Sequence, residues 1–298
     1  MVQVKMNVGL MILFAVLLQG CQNHVMKNYR VHDWTESKLF TEGIEGPAVD
    51  SQGNLFVVNF RTNGTIGKID DKGNTISYAK LPKGSIGNGI RFNQNGDMFV
   101  ADYKRHNILK IDSIDKSISV FSHSDKMNQP NDLAIMRNGT LFASDPDWTN
   151  NTGQLWRIDR DGTNHLLEKN MGTANGIEVA NDQKHLYVNE SVQRKVWVYD
   201  IASDYSLSNK RLLIEFNDFG LDGMRSDTEG NLYIARYGKG VIAIVSATGK
   251  LIDEIHLKGK FPTNIAFGGK SGKQVFVTMQ KRRLVETFYV LNSGASRY

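Results

Sequence analysis

Residues 45–59 read EGPAVDSQGNLFVVN: a short apolar stretch, a turn rich in Gly and Asn, and a second apolar stretch. This is hairpin grammar, because Asn, Asp and Gly supply the backbone a tight turn needs while β-branched and aromatic residues suit the flanking strands. The pattern returns at residues 88–102 (NGIRFNQNGDMFVAD), 131–145 (NDLAIMRNGTLFASD), 175–190 (NGIEVANDQKHLYVNE), 222–236 (DGMRSDTEGNLYIAR) and 264–279 (NIAFGGKSGKQVFVTM). The six leading residues follow one another at intervals of 42 to 47 residues. A period of that length marks a repeat architecture.

A third strand is predicted in most units, at Thr65–Ile69, Ile108–Ile111, Gln154–Ile158, Lys195–Tyr199 and Val241–Val245, and a weaker fourth at Ile118–Ser122 and Lys250–Ile255. Four short antiparallel strands per repeat form the blade of a β-propeller, whose radial packing buries both faces of each sheet. The expected fold is therefore all-β, a six-bladed β-propeller of four-stranded antiparallel blades over residues 34–298. Three strands remain for the last blade, so the segment Asp33–Thr41 is expected to supply its outer strand and close the ring.

The first twenty residues differ from the rest. Lys5 precedes an apolar run from Val8 to Leu18 with no acidic residue, which is signal-peptide grammar. Eleven residues are too few for a mature membrane span, which needs about 20. The run ends in Leu18-Gln19-Gly20-Cys21, which resembles the lipobox of bacterial lipoproteins, and Cys21 is the one cysteine of the chain. A lone thiol in an exported protein forms no internal disulfide, so lipidation of Cys21 is its expected role. Residues 1–20 are thus read as a lipoprotein signal peptide and 21–33 as a tether. The protein is expected outside the cytoplasm, held to a bacterial cell membrane through its lipid alone, on the periplasmic or cell-surface side.

With 40% hydrophobic and 22% charged residues the chain has ample material for a core. Its net charge of +5 is scattered, without an aromatic-interleaved basic stripe, so no nucleic-acid partner is expected. A monomer is expected.

In a propeller the innermost strands converge on one channel, so the leading residues Glu45, Asn88, Asn131, Asn175, Asp222 and Asn264 are expected to ring one mouth. All six carry a side-chain oxygen, and none is Cys or His. Converging oxygens with two carboxylates suit a hard cation such as Ca²⁺. Asn and Asp beside Gly are also ordinary turn formers, a reading that leaves the glutamate unexplained.

EGP at Glu45, PND at Asn131, NGI at Asn175, DGM at Asp222 and FASDPDW at residues 142–148 together resemble the gluconolactonase family, which includes the senescence marker proteins. The likeness covers nearly all of residues 45–290. It implies one divalent cation, Ca²⁺ by preference with Zn²⁺, Mg²⁺ or Mn²⁺ as alternatives, held by Glu45, Asn175 and Asp222, with Asn131 as ligand or substrate contact. It also implies hydrolysis of sugar or related lactones by metal polarisation of the carbonyl and attack of water, with Asp222 as general base. Asn88, Asn131, Asp145 and Trp148 are the expected substrate contacts, with Asp147, Arg91, Tyr103 and Arg236 as further candidates. The place two residues before the ND motif, an arginine in a sugar-lactone-binding relative, is Gln129 here.

Other chemistries find no support: there is no GxSxG elbow, and His32, His106, His123, His165, His185 and His256 lack the HExxH spacing. His123 alone could serve as a base if it faced the channel. The competing reading is a non-enzymatic propeller that binds a ligand or partner protein at its channel mouth.

Overall fold

The computed structural model describes residues 29–295, which form 24 strands in six four-stranded antiparallel sheets. The innermost strands are Phe40–Val49, Gly87–Phe92, Leu133–Ile135, Ala174–Val179, Met224–Ser226 and Pro262–Gly268. From each of the first five the chain winds outward in sequence order, and the sixth blade takes its outer strand from the start of the described residues. The predicted six-bladed propeller is the observed fold. The signal-peptide and lipidation readings, Cys21 included, lie outside the described residues.

The core is divided among the blade interfaces rather than gathered at one centre. One cluster packs Phe56, Val58 and Ile66 of blade one against Ile90, Met98 and Val100 of blade two. Leu55 and Val57 turn the other way, toward Ala266 and Phe276 of blade six. Alternate residues of one strand thus serve two interfaces, because side chains along a strand point to opposite faces. Burial on both faces explains why LFVV, MFVA and LYIA read as continuous apolar runs.

The ring closes as expected in kind, with a shifted boundary. The outer strand of blade six is His32–Asp33, paired antiparallel with Leu284–Tyr289. Trp34 extends the contact by donating its N–H to the Val285 carbonyl at 2.8 Å. Phe40 and Thr41 instead begin the inner strand of blade one, where buried Phe40 stacks edge-on against Phe60 at 5.6 Å. Burial claims Phe40 for the inner layer. The expected tether also joins the fold earlier than its polar composition suggests, since the Tyr29 hydroxyl donates to Asp253 at 3.1 Å and its ring meets Phe288.

Arg282 fastens the closure from the other side. Its guanidinium donates to both Asp33 oxygens at 2.9 and 2.8 Å, and Lys258 approaches Asp33 at 2.8 Å. The hydrogen bonds from Arg282 hold the Asp33 carboxyl below its usual range. A lowered folded-state pKa stabilises the fold above the unfolded value, and that contribution is lost as pH falls through the folded one. Asp33→Asn should therefore cost up to about 1 kcal/mol at pH 7, as expected for a partly exposed pair. Urea titrations of both proteins should give a constant difference from pH 7 down to the ordinary aspartate range and a shrinking one below it.

Candidate active site at one mouth of the channel

The leading residues owe their placement to a repeated irregularity. Strand register shifts between Glu45 and Ala48, Gly87 and Ile90, Ala174 and Ile177, and Pro262 and Ile265. In each case the inner strand carries one residue more than its partner. Such a bulge kinks the strand and re-aims side chains. Here it falls at the same place in four blades, beside or around the leading residue.

The glycine after the leading residue has a steric cause. A Cβ on Gly46 would stand 1.9 Å from the Asn88 carbonyl oxygen, and one on Gly89 2.7 Å from an Asp132 carboxylate oxygen. A Cβ on Gly176 would meet the Asp222 carbonyl at 2.4 Å, and one on Gly223 would lie 2.0 Å from the Asn264 side chain. Each of these glycines admits the leading segment of the next blade. Hydrogen bonds run along the same seam, from Gly89 N–H to the Asn131 carbonyl at 2.8 Å and from Gly223 N–H to the Thr263 carbonyl at 2.7 Å. The Thr263 hydroxyl donates to the Ile44 carbonyl at 3.0 Å, joining blade six to blade one. Apart from Gly46, with φ of 58°, these positions do not require a left-handed turn.

Within this ring stand two acids, buried Glu45 and half-buried Asp222. Burial is the main cause that raises both pKa values; Asp132 adds to the rise at Glu45, and Glu45 adds to that at Asp222. The Asn175 amide offsets part of the rise at Asp222, while the Asn175 Oδ1 is buried without a hydrogen-bond partner. Asn264 Nδ2 donates to Glu45 Oε2 at 3.0 Å and lies 3.4 Å from Asp132 Oδ2. Asp132 sits next along the channel between two guanidiniums, 3.3 Å from Arg91 and 3.1 Å from Arg225. Burial opposes its charge, but Arg225 and Arg91 outweigh burial and lower its pKa.

The arrangement therefore has an ionised, neutralised acid below and two acids above with no guanidinium of their own. Two carboxylates and an unpartnered amide oxygen converging in a buried site make a donor set for a hard cation. Among the described residues no three His, Cys, Asp or Glu side chains converge as a metal site on their own, so amide oxygens would have to complete the shell.

Sequence-predicted residues separate into two groups. Glu45, Asn175, Asp222 and Asn264 come together as described. Half-buried Asn131 and Asn88 join the ring through their carbonyls, which face Gly89 and Gly46. Asp145 lies apart: it is fully buried and accepts hydrogen bonds from the N–H groups of Asn128 and Gln129, from Gln154 and from the Trp156 indole. It braces the loop that leads to Asn131 instead of facing a ligand. Arg91 lies deep in the channel on Asp132, at a cavity of about 110 Å³ that opens at the opposite end. Arg236 is buried under the loop before Asp222, where it donates to Asp218. His123 bonds Asn107 and Asp125, not the ring.

Three residues of the site escaped the sequence reading. Asp132 occupies the place of the glycine in other repeats, a departure that was visible in the sequence. Asn189 receives no motif signal, yet its Nδ2 donates to the Asp222 carbonyl and its Oδ1 accepts from Gly176 N–H at 3.2 Å. Tyr237, whose phenol is raised by burial and then by Asp222, bonds Gln280 at 2.6 Å.

The family profile described as SMP-30/Gluconolactonase/LRE-like region matches residues 43–281. A gluconolactonase of Zymomonas mobilis is 28% identical over 64% of this chain, and the match spans 60% of that protein's length. The diisopropyl-fluorophosphatase of Loligo vulgaris is 26% identical over 86% of this chain and 91% of its own. A calcium-binding regucalcin from Agrobacterium tumefaciens superposes with a TM-score of 0.77 at 17% identity, covering 91% of this chain and 96% of that one, and so shares the fold.

The seam makes a specific demand on glycine. Gly176→Ala and Gly223→Ala should each destabilise by about 1–3 kcal/mol, the range for forcing an added carbon into packed structure. Gly220→Ala, where a Cβ meets nothing closer than 3.5 Å, should be neutral or slightly stabilising. Denaturant midpoints of the three variants provide the check.

Proposed function

The chain belongs to the SMP-30/gluconolactonase/LRE-like family, and from that premise we propose that it is a metal-dependent lactonase opening sugar or related lactones. The observation that carries the reading is the juxtaposition of Glu45, Asp222 and Asn175, whose Oδ1 is buried with no hydrogen-bond partner. Adjacent buried acids without a cation raise each other's pKa and cost stability. A divalent ion, Ca²⁺ by preference, would relieve that cost, with Glu45, Asn175 and Asp222 as ligands and Asn131 as ligand or substrate contact. The lactonase names among the relatives support the same reading.

When bound, the cation would polarise the lactone carbonyl as a Lewis acid. The chain's own residues supply the rest. Asp222 accepts the proton of the attacking water as a C–O bond forms at the carbonyl carbon. The ring C–O bond then breaks, and the alkoxide leaving group recovers a proton, giving the open hydroxy acid. Glu45 stays oriented by Asn264, and Asp222 by Asn189 through its carbonyl. These contacts fix Glu45 on its strand and Asp222 just before the inner strand of blade five.

Export and lipid attachment through Cys21 complete the proposal. The mature protein should lack residues 1–20 and carry a diacylglyceryl thioether on Cys21, which intact mass measurement detects; an unmodified Met1 terminus would refute it.

Acid release from gluconolactone, corrected for spontaneous opening, tests the reaction. Asp222→Asn should lower kcat/KM at least about a hundredfold, the lower end for loss of a general base. Glu45→Gln should abolish the rise in melting temperature that calcium gives the wild type. With chelator present, Glu45→Gln should melt no lower than wild type, because it removes a buried charge and keeps the shape. Calcium stabilisation without turnover of any lactone would favour the binding module.

A further inference from the structure

The rim beside the site carries three exposed apolar side chains on three consecutive blades. Trp148 is 41% exposed, Val192 45% and Phe219 51%. They stand on loops after the second strands of blades three and four and on the loop entering blade five. Because inner strands start and second strands end at the same face, all three loops surround the mouth that holds Glu45, Asn175 and Asp222.

The loops form one connected surface. Gln193 Nε2 donates to the Asn151 carbonyl at 3.1 Å, joining the Trp148 loop to the Val192 loop. Leu221 N–H donates to the Ser191 carbonyl at 3.4 Å, joining the Val192 loop to the Phe219 loop. Phe219 precedes Asp222 by three residues, and its ring lies against Gly238. Arg236 pins this loop from below through the Asp218 carbonyl and carboxylate, with its guanidinium 3.8 Å from the centroid of Phe216.

Phe219 also has a φ of 45°, in the left-handed region that bulky residues avoid. A glycine would meet that backbone demand without strain. A large apolar ring is kept instead, exposed, on a loop that is held in place.

The three side chains present on the order of 300 Å² of apolar surface, taking 150–250 Å² as the full area of an aromatic side chain. A stable protein partner needs roughly 800 Å² on each side. The patch matches a small substituent beside the reacting centre instead. We propose that Trp148, Val192 and Phe219 form an apolar wall that receives an alkyl or aryl substituent of the lactone, so that the substrate class is lactones bearing an apolar side chain. This rests on the lactonase reading and narrows it.

A series from γ-butyrolactone to γ-nonalactone tests the wall. The ratio of kcat/KM to that of γ-butyrolactone should rise by up to about fourfold per methylene over the first few carbons, the factor for burying one CH₂. Phe219→Ser should reduce the nonalactone-to-butyrolactone ratio at least about tenfold, mostly through KM, and Phe219→Leu should restore most of it. Val192→Ser, which leaves the strained position alone, should flatten the series in the same direction. A ratio near one in the wild type, or one unchanged in Phe219→Ser and Val192→Ser, overturns the wall even if gluconolactone is opened. Calorimetric binding of the matching γ-alkyl lactams, which are not opened, separates the two ideas. Tighter binding of longer lactams, lost in Phe219→Ser, sustains the wall even if no lactone turns over, whereas lactam binding blind to chain length overturns it.

Discussion

Six inner strands have to meet around one axis, and at four of the junctions the space between neighbours is too small for a side chain. Gly46, Gly89, Gly176 and Gly223 meet this demand, each admitting the leading segment of the following blade. The bulges at the same level are the counterpart of that crowding, since the extra residue lets a strand turn its polar side chain inward while pairing resumes below. Everything chemical about the mouth follows from this packing. Glu45, Asn175, Asp222 and Asn264 are brought together at the level where these glycines admit the neighbouring segments.

Burial then sorts the channel acids by what accompanies them. Asp132 has Arg91 and Arg225 on either side and remains ionised. Glu45 and Asp222 form no guanidinium ion pair, and burial raises both, with Asp132 adding to the rise at the first and Glu45 at the second. A fold selected for stability alone would gain from replacing such a pair with neutral groups, because buried charge without a partner is expensive. Its presence makes sense when a cation belongs to the folded state. Under the proposed function, the same frustration that weakens the metal-free protein supplies metal affinity.

The architecture was legible in the sequence because it is written six times: a period, an alternation and a turn, each reinforced by repetition. The ring of polar groups at one mouth was legible for the same reason, as the leading residue of each repeat is polar. Individual roles were harder to read. Asp145 lies near the end of its strand, where a substrate contact might stand, yet donors from the entering loop and the next strand enclose it, and no local pattern announces donors such as the Trp156 indole. Arg91 belongs to the channel but at another depth, a coordinate that strand alternation does not encode. Asn189 reaches the site from a second strand, where the repeat places no polar signal. The closing strand was expected from arithmetic, while its exact residues depended on which of Asp33 and Phe40 the core would bury.

The axis and the rim divide the work between two kinds of structure. At the axis, change is limited by contacts of a few ångströms between backbones, so residues there can vary little without displacing a neighbouring blade. On the rim, loops cross solvent and tolerate substitution, and that is where substrate preference can be adjusted at low cost to the fold. Phe219 illustrates the boundary between them. Its left-handed backbone costs on the order of 1–2 kcal/mol for a residue with a Cβ, a strain that persists only where the surroundings over-determine it. Arg236, Ser191 and Tyr237 provide that determination by holding the loop at three points. Those contacts also fix the approach to Asp222, so the device that keeps an exposed aromatic in place is the one that carries the acid to the axis.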